Sequence, residues 1–137
     1  MDIIKTFQRE IEKMANRGWD KIYVLVDIHD TVFKSTYTKE ERYEWFPFAK
    51  DALREMSDNP RISLILWSST YEEELAKYLE YFENNGIRFD MANVNIETPN
   101  TELSSFDYKT YFNVGIDDKF GFEPEKDWQK ILNFLKK

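Results

Sequence analysis

The chain has 137 residues, 33% of them charged and 42% apolar, which suits one domain with its own hydrophobic core. It has no cysteine and one histidine, which excludes disulfides, thiolate metal sites and multi-histidine zinc sites. Any metal must then rest on oxygen ligands, which favours magnesium or calcium. The net charge of −7 argues against a broad nucleic-acid-binding surface, and no run of 18 apolar residues is present to span a membrane.

In chain order, Ile4, Phe7, Ile11 and Met14 recur at helical spacing, and Gly18 stands where that helix should stop. This acidic, helical start, MDIIKTFQRE, is unlike a signal peptide. With the absence of cysteine, it leads us to expect a cytoplasmic location. Residues 22–26 read as a strand that is apolar on both faces. Residues 34–46 show no period. Pro47 is expected to open a helix reaching about Met56, with Ala49, Ala52, Leu53 and Met56 on its inner side. Residues 62–67 form a second apolar strand. Thr70 and Glu73 spell a capping box, followed by a helix with Leu75, Tyr78, Leu79 and Phe82 on one face, ending near Gly86. A weaker strand is expected around 91–96, then a loop over ETPNTELSSFD, then a strand from Tyr111 to Ile116. Pro124 opens a last helix with Trp128, Ile131, Leu132 and Leu135 facing the core.

Strands alternating with helices predict an α/β fold: a three-layer, Rossmann-like domain over residues 1–137, built on a central parallel sheet with helices on both faces. Polar residues terminate three of its strands. Asp27 ends the first, Ser68 the second, and Asp117-Asp118 the one after Tyr111. In an open parallel sheet the carboxyl ends of the strands form the ligand crevice. Three carboxylates and a hydroxyl converge there if these strands are neighbours. Such a cluster of like charge is unfavourable alone and is relieved by a hard divalent cation. Its oxygens would lie about 2.0–2.6 Å from the ion, so the Asp27 and Asp118 carboxylates are expected within about 8 Å of each other.

These residues resemble the haloacid dehalogenase superfamily of phosphotransferases. Its first motif, D-x-D-x-T/V after a hydrophobic strand, reads Asp27-Ile28-His29-Asp30-Thr31 here. Its second, a Ser or Thr ending the next strand, is Ser68 in LILWSST. Its third, a lysine upstream of the fourth strand, is Lys109 in FDYKTYF. Its fourth, an acidic pair ending that strand, is Asp117-Asp118 in NVGIDDKFGF. The ordered set spans roughly residues 20–122.

The resemblance implies a magnesium-dependent phosphomonoester phosphatase with Asp27 as nucleophile and an aspartyl-phosphate intermediate. Magnesium would be held by Asp27, the main-chain carbonyl of His29 and the acidic pair, Asp118 directly and Asp117 directly or through water. Ser68, Ser69 and Lys109 would hold the phosphoryl oxygens. The departure is His29, where family phosphatases carry the Asp that acts as acid and base. An imidazole titrating near 6.5 can exchange protons near neutrality. If it does not act, the alternative is a catalytically impaired domain that binds phosphate or a protein partner. A phosphoacceptor receiver domain fits less well, since its acidic pair belongs at the first strand and its acceptor Asp mid-chain.

No separate cap domain fits between Asp27 and Pro47 or between Ile96 and Lys109. An open site suits a phosphate on a macromolecule, or a small substrate enclosed by a second subunit of an oligomer. The substrate classes are a nucleotide, a nucleic-acid end, a sugar phosphate or a phosphoprotein. Tyr37, Tyr43, Trp45, Phe46 and Phe48 fall in the flap segment, where they would stack on a base or sugar or else cover the core.

Overall fold

A computed structural model of the chain describes residues 2–35 and 43–137. The elements are α1 (Ile3–Arg17), β1 (Ile22–Asp27), α2 (Ala49–Asp58), β2 (Ile62–Trp67), α3 (Glu72–Asn84), β3 (Met91–Ala92), β4 (Val114–Ile116) and α4 (Pro124–Leu135), with a short 3-10 turn at Asp118–Phe120. The four strands form one all-parallel sheet in the order β3-β2-β1-β4. Among the described residues no helix is long and apolar enough to cross a membrane.

Local chemistry accounts for most element ends. The Asp2 side chain accepts hydrogen bonds from the Ile4 and Lys5 amides at the start of α1, and Gly18 closes that helix in the left-handed conformation, φ 68°. Helix α2 buries Ala49, Ala52, Leu53 and Met56, the four residues its spacing predicts. It begins after Pro47, at an N-cap Phe48 held at φ 66°, and Asn59 closes it. Pro124 occupies the first turn of α4, which buries Trp128, Ile131 and Leu132.

Three expectations are corrected, the first being the strand expected from Tyr111 to Ile116, which covers only Val114–Ile116. Helix α3 starts at Glu72 with Tyr71 at its N-cap and no side-chain cap, so Thr70-Glu73 is not a capping box. Thr70 lies one residue outside the N-cap, with its hydroxyl in contact with Ser68 Oγ. The strand expected over 91–96 is only two residues long, because Asn93 turns the chain at φ 60°.

The even-numbered residues of the strands form the main core face. Ile22, Val24, Val26, Ile62, Leu64, Leu66, Val114 and Ile116 pack with α1, α2 and α4, where Phe7 meets Phe134 at 6.1 Å. The opposite face carries Tyr23, Leu25 and Gly115. The irregular segment 93–113 packs on this face and completes the three-layer, Rossmann-like α/β arrangement around the parallel sheet. Tyr111 packs edge-on against Tyr23, and Phe112 lies against Gly115. At the carboxyl end of the sheet, Tyr43, Trp45, Tyr78, Tyr81 and Phe82 gather around Phe33.

Candidate functional site

Strand register places the acidic residues. Asp27 pairs with Trp67 across β1 and β2, so Ser68 lies one step beyond. Val26 pairs with Ile116, so the next residue of that strand, Asp117, comes level with Asp27. The carboxylates of Asp27, Asp117 and Asp118 each offer an oxygen within 4.8 Å of the others. The expected convergence at the carboxyl edge is therefore present, well inside the 8 Å limit.

The loop after β1 is a tight turn. The amides of Thr31, Val32 and Phe33 all donate to the Ile28 carbonyl, and the Asp30 amide donates to the Phe33 carbonyl. Asp30 sits at φ 58°, a conformation that favours glycine, and its side chain accepts from the Ser35 amide at 2.9 Å. Asp30 thus stabilises the turn it strains. From below, fully buried Trp128 of α4 donates its indole N–H to the Thr31 carbonyl at 2.8 Å. That bond ties the loop to the helical layer.

Thr31 is fully buried and joins the two halves of the site. Its hydroxyl lies 2.9 Å from Asp27 Oδ2 and 3.3 Å from Asp118 Oδ1, and it accepts from the Asp118 amide at 3.1 Å. A hydroxyl has one proton to give, and the shorter contact assigns it to Asp27. Asp117 accepts from the Lys119 amide at 2.9 Å, which fixes the turn that follows.

Burial, the Asp117 charge and the Asp118 charge push the Asp27 carboxyl up to about 6, although the Thr31 bond opposes them. Asp117 is also raised, first by burial and further by Asp118 beside it, while the Lys119 amide and ammonium pull it down. The cluster thus carries more negative charge than its own donors balance.

A cavity of about 430 Å³ lies over these residues, lined by Asp27, His29, Asp30, Trp67, Ser68, Ser69, Asp117, Asp118, Lys119 and Phe120. His29 is exposed, and its Nε2 lies 3.1 Å from the Tyr78 hydroxyl, the two rings meeting edge-on. The Ser68 amide donates to Asn93 Oδ1 at 2.8 Å, and its hydroxyl contacts Thr70 Oγ1.

Of the residues picked out from sequence, Asp27, His29, Ser68, Ser69, Asp117 and Asp118 meet in this cavity. Lys109 does not line it. Lys109 is exposed on the irregular segment and lines a different cavity, with Ser104, Ser105, Phe106, Thr110, Tyr111 and Phe112. Thr110 and Tyr111 beside it are tied to the chain leaving β3, through the Asn93 carbonyl and the Asn95 side chain. The described flap aromatics, Tyr43, Trp45, Phe46 and Phe48, do not line the Asp27 cavity either. Tyr43 stacks on Tyr81 at 3.7 Å, Trp45 packs on Phe33 and Phe46 is buried, so these three cover core. Phe48 is exposed, and Tyr37 lies outside the described residues. Thr31, Asn93 and Lys119 were not singled out. The one available signal was their position, Thr31 closing the first motif and Lys119 following the acidic pair.

No protein-family model matches the chain, and no curated protein matches it. Among solved structures, it is similar to a conserved protein coded by a locus from Bacteroides thetaiotaomicron. The two share 28% identity over 85% of this chain and 90% of that one, with a TM-score of 0.66.

Proposed function

We propose that the protein is a magnesium-dependent phosphomonoester phosphatase of the haloacid dehalogenase kind, acting in the cytoplasm. The observation that carries this reading is the meeting of Asp27, Asp117 and Asp118 within 4.8 Å at the carboxyl edge of a parallel sheet. The donor set fits magnesium: the cluster is all carboxylate, with no thiolate or imidazole in it, and repulsion and burial raise two of its members. Asp27, Asp117, Asp118 and the His29 carbonyl would hold the ion, which when bound favours the anionic nucleophile and screens it from the anionic substrate.

The chain's own groups do the rest. An Asp27 oxygen attacks phosphorus, the ester P–O bond breaks, and the aspartyl-phosphate forms. Ser68 and Ser69 hold phosphoryl oxygens. His29 gives its proton to the departing oxygen, and Tyr78 on Nε2 leaves Nδ1 as the ring atom for that transfer. His29 then takes a proton from the water that attacks phosphorus and releases phosphate from Asp27.

The test is turnover of aryl and alkyl phosphates with and without magnesium. His29→Ala should lower alkyl phosphate turnover by about 10²–10⁴-fold and spare the aryl substrate, whose leaving group scarcely needs a proton. Both substrates unaffected by His29→Ala would make the histidine a bystander. A wild type that turns over neither substrate, while His29→Asp gains activity, would establish the second reading, an impaired phosphate-binding domain.

A further inference from the structure

We propose that the cation that neutralises the bound phosphoryl group is Lys119, and that Lys109 takes no part in the site. The inference rests on the phosphate reading of the Asp27 cavity and assigns the one charge that reading leaves unplaced. A dianionic phosphate entering beside three carboxylates needs a positive side chain in addition to a metal. Among the described residues, the cavity is lined by one lysine, Lys119, and by no arginine.

Its position is built by the acidic pair itself. Asp117 caps the turn Asp118–Phe120 by accepting from the Lys119 amide. Gly121, at φ 91°, ends the turn by donating to the Asp118 carbonyl at 3.1 Å. Phe120, next in the chain, is seated on Gly115: a Cβ there would meet its ring at 3.0 Å. Phe122 is buried against Trp128 at 5.0 Å. The backbone of Lys119 is thus pinned on both sides, between the acidic edge and the core. The side chain is exposed and long enough to turn from the carboxylates to an incoming phosphate. A lysine that only balanced the carboxylates would have a different signature, since its loss would strengthen magnesium binding and leave phosphate binding intact.

The experiment measures the affinity of the wild type, Lys119→Met, Lys119→Arg and Lys109→Met for inorganic phosphate in the presence of magnesium. Magnesium affinity and aryl phosphate turnover are recorded alongside. Lys119→Met should weaken phosphate about tenfold or more and lower turnover. Lys119→Arg should restore most of both, and Lys109→Met should match wild type. Phosphate affinity lost in Lys109→Met and kept in Lys119→Met overturns the assignment while the phosphatase reading stands. Lys119→Met that tightens magnesium with phosphate affinity unchanged also overturns it. A wild type that binds phosphate through Lys119 without turnover sinks the phosphatase reading and keeps the assignment. A wild type that binds no phosphate sinks both.

Discussion

On the proposed reading, Asp27 must carry a charge where its surroundings oppose one. Its carboxyl, ordinarily near 3.8, is pushed up to about 6 by burial and then by Asp117 and Asp118. Between those two values the folded protein holds a proton that the unfolded chain has released. The stability that Asp27 contributes as a neutral acid is therefore fully present below pH 4 and lost as pH rises through about 6. Asp27→Asn keeps the shape and removes the charge. In metal-free solution it should match wild type near pH 4. Near pH 7 it should be more stable, by on the order of 1 kcal/mol once the partial exposure of the site is discounted. Denaturant midpoints at the two pH values test this, and a difference that does not change with pH would contradict it. The same conflict explains Thr31. A valine would fill its space, but would leave Asp27 without the hydroxyl that donates to Oδ2.

At the scale of elements, β4 and the turn after it behave as one unit, because Gly115 leaves room for Phe120. Gly115→Ala sets a methyl 3.0 Å from the Phe120 ring and 3.1 Å from that of Phe112. We expect a loss of about 1–3 kcal/mol from overpacking, together with weaker magnesium binding as Phe120 pulls Lys119 and Asp118 out of place. Gly115→Ala/Phe120→Ala should recover much of both, as a double-mutant cycle would show. A single variant with unchanged midpoint and metal affinity would mean that the turn is held by its caps alone. Such couplings were not legible in the sequence. The apolar runs of β1 and β2 and the spacing of α2 and α4 were, because burial imposes a period. So were Asp27, Ser68 and the acidic pair, since polar residues ending apolar strands must gather at one sheet edge. Segment 93–113 has no period to read, and Lys109 was placed through its order in the chain, without a contact to fix it. Thr31 was visible only as the last position of the first motif, with no role attached, and Lys119 is a single polar residue in a turn that only tertiary structure separates from ordinary turn formers.

For the whole molecule, the sheet holds a costly acidic cluster at one edge of a chain whose net charge is already −7. The fold holds the cluster together because β1 and β4, which lead into Asp27 and Asp117, are buried in the core and fix the backbones that carry the carboxylates. The central claim is that this rigidity serves a nucleophile, Asp27. The most direct test quenches the protein with acid during turnover of an aryl phosphate with magnesium, then locates phosphoryl groups on its peptides by mass spectrometry. The account predicts a phosphoryl group on Asp27, gone when the substrate is exhausted and missing from Asp27→Asn, which should turn over nothing. Turnover by Asp27→Asn at the wild-type rate, or a phosphoryl group trapped on any other residue, would contradict it.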